Sequence, residues 1–162
     1  MRLYLAGPLF TQAERAWNLD LAGLIVEAGH SVFLPQAEVQ TIETLDAESI
    51  FRVDVDGVRS ADAIVAIVEG ADPDSGTSFE CGLAFALGLP IVIVRTDFRA
   101  GGDALPGQKL ATVNLMLSQA ATAVVAVTSP TGGIDELASR IIEALAALPR
   151  GLPPVERVSP SV

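Results

Sequence analysis

The stretch Asp72-Pro-Asp74-Ser-Gly-Thr77-Ser-Phe-Glu80 carries two carboxylates, Asp74 and Glu80, joined by a short polar turn. It follows the unbroken apolar run Ala63-Ile-Val-Ala-Ile-Val68 and leads into a helix-forming segment that ends near Leu87. Two carboxylates in one cleft suit a division of labour between proton carrier and nucleophile. Glu80 is expected in the first turn of this helix, where the positive end of the helix dipole favours a carboxylate. A glutamate there also serves simply to stabilise a helix. The nearness of Asp74 is what turns the reading toward a nucleophile. Ser75-Gly76-Thr77-Ser78 offers another reading, a phosphate cradle at a helix N-terminus. It lacks the lysine of a P-loop and G-x-G-x-x-G spacing, and its acidic neighbours repel phosphate.

Asp54 lies four residues from both Ile50 and Val58, so it borders the apolar face of its own helix. A carboxylate so placed needs partners or a raised pKa. It reads either as a pocket acid near the strand ends or as a boundary residue bonded to local backbone. Tyr4 is the single tyrosine, near the carboxyl end of a first strand. Its phenol either reaches a carboxylate in the cleft or caps a core ring with a wet hydroxyl. Asp62 opens the central strand and reads as a turn residue, Cys81 as a small buried residue, and His30 as structural.

The elements that must position these groups follow from apolar spacing. Leu3 to Ala6 reads as a strand ended by Gly7-Pro8. A helix opens at Thr11 or Gln12 and runs to about Ala28, with Trp17, Leu21, Leu24 and Ile25 at helical spacing and Gly29 as its stop. Ser31 to Leu34 is a short strand, followed after Pro35 by a loop. A helix is predicted over roughly Leu45 to Ser60, then a buried central strand over Ala63 to Val68. The helix after Asp74 starts near Gly76-Thr77 and is closed by Gly88. Pro90 to Arg95 is a fourth strand. Thr96 to Gly107 reads as a polar loop, with Ala100 to Gly107 mobile. Val113 to Gln119 reads as a short helix or irregular. Ala123 to Val127 is a fifth strand, and a last helix runs from Thr131 or Gly132 to Leu148. Strands alternating with helices predict a doubly wound α/β domain over residues 1–150, a parallel sheet with helices on both faces. The segment Gly151 to Val162, with three prolines, reads as a tail. Ligands of such sheets bind at the carboxyl ends of the strands, near the topological switch point.

Composition narrows the partners. With 20 acidic and 10 basic residues, the net charge of -10 disfavours a nucleic-acid or anionic-membrane surface. One cysteine and one histidine argue against a disulfide and against a metal centre. No apolar run reaches the length of a membrane span, and a cytoplasmic location is expected. A small ligand or a nucleoside remains as the partner.

The chain resembles the nucleoside 2-deoxyribosyltransferase family. The resemblance rests on Tyr4-Leu-Ala-Gly-Pro-Leu-Phe10, Val53-Asp54-Val-Asp-Gly-Val-Arg-Ser-Ala-Asp62-Ala-Ile-Val, Asp74-Ser-Gly-Thr-Ser-Phe-Glu80-Cys-Gly-Leu-Ala and Asn114-Leu-Met116, in the family's order. It implies a five-stranded parallel sheet and exchange of deoxyribose between nucleobases, with no metal or organic cofactor. It further implies that Glu80 attacks C1′, that Tyr4 holds the Glu80 carboxylate, and that Asp74 and Asp54 bind the base and move its proton. Gly7, Phe10 and Gly76 lie in the matching motifs and are expected to line the substrate. Gln36 is expected to contact the base, with Gln40 the other candidate. Asn114 and Met116 are expected to complete the site of a neighbouring subunit in a dimer-based assembly, a hexamer in the family.

Two other functions compete. The same covalent ester attacked by water would make an N-glycosidase of deoxynucleosides or their 5′-monophosphates. Recognition of a 5′-phosphate calls for Ser, Arg and extra Gly in the first loop, whereas Gly7-Pro8-Leu9-Phe10 is apolar, which favours a free nucleoside. A non-catalytic nucleotide sensor would keep the pocket without needing a nucleophile beside a proton donor.

Overall fold

Short apolar runs flanked by Gly, Pro and Asp form strands, of which the central two, Ala63–Ile67 and Ile91–Arg95, are buried on both faces, and the computed structural model shows five strands among its described residues. It describes residues 1–41, 46–70, 72–97, 113–127 and 132–149. The strands are β1 (Arg2–Ala6), β2 (Ser31–Phe33), β3 (Ala63–Ile67), β4 (Ile91–Arg95) and β5 (Ala123–Ala126). The helices are α1 (Gln12–Glu27), α2 (Pro35–Glu38), α3 (Ala47–Arg59), α4 (Ser75–Ala86), α5 (Leu115–Ala120) and α6 (Ile134–Ala146). All strand pairs are parallel, in the order β2-β1-β3-β4-β5. The chain moves outward from β1 to β2, then crosses back to β3 on the other side of β1. The switch point therefore falls between β1 and β3.

The strand pleat sorts side chains onto two faces. Leu3 and Leu5 of β1 join Val65 of β3 and Val92 of β4 under α1 and α6, through Leu21, Ile25, Leu137 and Ile141. Tyr4 and Ala6 point the other way, with Ile64, Ala66, Ile91 and Ile93, under α3, α4 and α5. The expected doubly wound sheet with helices on both faces is what the chain forms.

Local chemistry sets the helix ends. Thr11 and Glu14 form a capping box at α1, and Asp46 caps α3 by accepting from the Ser49 amide. Gly29, with φ +90, follows α1, and Gly88, with φ +71, follows α4. Both adopt the left-handed conformation that glycine takes without steric cost.

Some expectations need correction. The loop expected after Pro35 starts as the short helix α2 and continues as a 3-10 turn, Val39–Thr41. Proline at its first position is pre-set for a helical φ and loses no needed donor. The last helix begins at Ile134, after Gly133 as its N-cap. Leu45, most of the loop from Thr96 to Gly107 with its Ala100 to Gly107 part, and the tail from Gly151 lie outside the described residues.

Candidate active site

Tyr4 is the third residue of β1, beside the switch point, and is fully buried. Its hydroxyl donates to Glu80 Oε1 over 2.6 Å. Burial, and the Glu80 charge after it, push the phenol pKa far up, so Tyr4 stays protonated and serves as a donor. Its ring stacks on Phe33 of β2, centroids 5.2 Å apart and planes 13° apart.

Glu80 is not in the first turn of α4. The helix begins at Ser75, so Glu80 is its sixth residue and lies in the second turn. Asp74 occupies the cap instead, its Oδ2 accepting from the Thr77 amide over 3.0 Å. Each helix end exposes amide donors that only the first residues can satisfy, and Asp74 takes that role. Gly76 is adapted to it: a Cβ there would stand 3.0 Å from Asp74 Oδ2. Glu80 is left with little help from the dipole. Burial raises its pKa to about 7; the Tyr4 hydrogen bond opposes the rise, and the nearby Asp54 and Asp74 charges add to it.

Asp54, on α3, reaches the same place. Its Oδ1 is buried with no hydrogen-bond partner among the described residues, and burial raises its pKa. The reading as a boundary aspartate bonded to local backbone does not describe that oxygen. Asp54 and Glu80 line a cleft of about 270 Å³ between α3 and α4, walled by Val55, Val58, Leu83 and the ring pair Phe51 and Phe79. Cys81, the next residue, is buried and its thiol pKa is pushed up to about 12 by burial, which keeps it from acting as a nucleophile.

The remaining candidates lie apart from this cleft. Asn114 caps α5 by accepting from the Met116 amide over 2.9 Å, and Met116 is 77% exposed. Both line a larger cleft of about 580 Å³ on the other side of α4, with Ser75, Ser78 and Phe85. Phe10 is 70% exposed at the end of the β1–α1 loop. Gly7 starts that loop, and a Cβ there would come within 3.0 Å of the Ile67 side chain. Gln36 is tied down at both ends of its amide: Nε2 donates to the Arg15 carbonyl, and Oε1 accepts from Asn18. Gln40 is exposed, donating to the Gln36 carbonyl.

Residues unnoticed in the sequence support this region. Asn18, 5% exposed, donates to both Gln36 and the Pro8 carbonyl. Arg15 Nη1 donates to the carbonyls of Leu9 and Phe10. Asn18 is three residues from Leu21 and seven from Ile25, so a polar residue in the buried stripe of α1 was the available signal. At the ends of β3 and β4, the Glu69 carboxylate accepts from the Thr96 amide, the Thr96 hydroxyl and the Asp97 amide, each over 2.8 Å. Arg95, buried beside it, donates to Asp97 and to the Gly70 carbonyl. That guanidinium is committed to the fold. Among the described residues no cluster of His, Cys, Asp and Glu could hold a metal ion. No described helix is long and apolar enough to cross a membrane.

Fold and cleft together define a doubly wound α/β protein with a tyrosine-braced carboxylate at its switch point. The sequence profile of the nucleoside 2-deoxyribosyltransferase family matches residues 3–116, and the chain belongs to that family, a family of enzymes. A conserved protein from Enterococcus faecalis is 26% identical, with a TM-score of 0.65 over 86% of this chain and 98% of that one. A 2-deoxyribosyltransferase from Bacillus psychrosaccharolyticus is 23% identical, with a TM-score of 0.61 over 77% and 85%. A CMP N-glycosidase from Clostridium botulinum, 17% identical, shares the fold with a TM-score of 0.59 over 88% and 99%. No curated protein matches the chain.

Proposed function

We propose that this chain transfers 2-deoxyribose from one nucleobase to another through a covalent ester on Glu80. The observation that carries the reading is the half-buried Glu80 carboxylate, held by the Tyr4 hydroxyl at 2.6 Å in a cleft shared with Asp54, whose Oδ1 has no partner among the described residues. Ionised Glu80 attacks C1′ of the deoxynucleoside. The N-glycosidic bond breaks, and its electron pair leaves with the base, which takes a proton from Asp54. Asp54 suits that step because burial favours its protonated form. Asp74, spent in part on capping α4, contributes charge and a hydrogen bond near the base. The incoming base then attacks C1′, the ester bond breaks, and Glu80 is released as a carboxylate while the surplus proton returns to Asp54. Two inversions give net retention. A sugar without a 2′-hydroxyl loses less electron density at C1′, so the positive transition state forms more readily.

Within this proposal Gly7, Phe10, Gly76 and Gln36 contact the substrate, and Asn114 and Met116 act in the site of an adjoining subunit of a dimer-based oligomer. A free nucleoside is favoured over a 5′-phosphate by the apolar Gly7-Pro8-Leu9-Phe10 loop and by the engagement of Arg95 with Asp97 and Gly70. The test is incubation with deoxyinosine and adenine, followed by chromatography. Deoxyadenosine is the expected product. Free deoxyribose without deoxyadenosine would replace transfer by hydrolysis, and neither product would leave a binding protein.

A further inference from the structure

We propose that Phe33, seated against the bare backbone of Gly57, is a positioning residue that aims the Tyr4 hydroxyl at Glu80; this rests on Glu80 being the reacting group. Tyr4 and Phe33 are direct neighbours in the parallel register of β1 and β2, on the face that α3 covers. Their rings are stacked nearly parallel, so Phe33 covers one face of the Tyr4 ring and restricts its tilt. The hydroxyl sits at the far end of that ring. A tilt of about 10° would carry it through about 1 Å, enough to lose a hydrogen bond.

Gly57 explains why Phe33 stands where it does. Glycine is unfavourable inside a helix, so its place in α3 calls for a packing reason. A Cβ at Gly57 would fall 2.6 Å from both Cε1 and Cζ of Phe33, closer than carbon atoms approach. Even alanine there must displace the ring. The line Gly57, Phe33, Tyr4, Glu80 thus crosses from α3 through β2 and β1 to α4. Neither Phe33 nor Gly57 touches the substrate in this scheme.

The titratable groups facing Glu80 are Tyr4 from β1, Asp54 from α3, and Asp74 and Cys81 from its own helix. The strand β3 is apolar throughout, α5 carries no ionisable side chain, and the one ionisable residue of β4, Arg95, is bound to Asp97 and the Gly70 carbonyl. Changing Phe33 or Gly57 removes none of these charges. A movement of the Glu80 titration in such variants that disappears when Tyr4 is phenylalanine therefore reports the Tyr4 hydrogen bond, whereas one that persists reports altered burial.

The experiment is a pH titration of the ligand-free protein with ¹³C-labelled glutamate, the Glu80 signal being identified by its loss in Glu80→Gln. Tyr4→Phe is expected to raise the Glu80 pKa by about one pH unit. Phe33→Leu and Gly57→Ala are each expected to raise it by roughly half as much, and neither should add to Tyr4→Phe. Gly57→Ala should also add nothing in the Phe33→Leu background. Parent-like titration in both single variants would overturn the proposal, as would equal shifts with and without the Tyr4 hydroxyl. Phe33→Met stands in if Phe33→Leu does not fold, and Gly57→Ala fills space rather than emptying it. The titration needs no substrate, so a parent without transferase activity would overturn the proposed reaction and leave this result unaffected.

Discussion

Tyr4 and Glu80, 76 positions apart in the chain, meet through a 2.6 Å hydrogen bond between the phenol and Oε1. The bond joins β1 to α4 across the switch point of the sheet. It also opposes the effect of burial on Glu80, because a donor to a carboxylate favours its ionised form.

A nucleophile that must be ionised and an acid that must be protonated give kcat/KM a bell-shaped dependence on pH, with one limb near pH 7, where Glu80 titrates. Tyr4→Phe is expected to move that limb to higher pH and to lower the maximum. Profiles of kcat/KM between pH 5 and 9 check both effects. An unmoved limb in Tyr4→Phe would mean that another group governs it.

Stability should depend on the same titration. The usual glutamate value is 4.5 and the folded value about 7, so between those pH values the folded chain holds a proton that the unfolded chain has released. Stability then falls as pH rises through that window, by on the order of 3 kcal/mol, and stays level above it. Glu80→Gln avoids the cost. Thermal unfolding should show it stabilised relative to the parent at pH 8 and much less so at pH 5. An equal difference at both pH values would show that Glu80 ionises normally.

Asp54→Asn is expected to slow turnover by about 10²–10⁴-fold while the protein stays folded, since it removes a proton carrier and not a packing group. The loss should be smaller for a substrate whose leaving base needs no protonation. Rates on a pair of nucleosides with good and poor leaving groups check this.

Asp74 carries two separable duties. Asn caps a helix about as well as Asp, so Asp74→Asn should keep the stability of α4 and lose activity. Asp74→Ala should lose activity and also about 1 kcal/mol of stability. Denaturant unfolding of the two variants beside their turnover separates the duties. Full activity in Asp74→Asn would assign Asp74 to capping alone.

Asn114 and Met116 lie across α4 from the Glu80 cleft within one chain. If they complete a neighbour's site, mixed and exchanged Glu80→Ala and Asn114→Ala subunits should recover activity that neither variant has alone. Sedimentation at micromolar concentration should show no monomer. No recovery after proven exchange would make Asn114 only the cap of α5.

Much of this architecture is written in local pattern. The apolar runs Ala63 to Val68 and Pro90 to Arg95 announce strands buried on both faces, and Gly29 and Gly88 mark the helix ends, because burial and left-handed φ depend on near neighbours. The place of Asp54 on an apolar helix face was likewise legible, since helical spacing fixes which side a residue faces. The turn that holds Glu80 was not, for local pattern places the helix start near Gly76-Thr77, whereas the Asp74 carboxylate, reaching the Thr77 amide, opens α4 at Ser75. Nor could spacing show that Asn18 binds Gln36, that Gly57 makes room for Phe33, or that Tyr4 selects Glu80 among the carboxylates near it. Those pairings join segments far apart in the chain, and their distances are set by strand register and helix packing, which arise only when both faces of the sheet are covered at once.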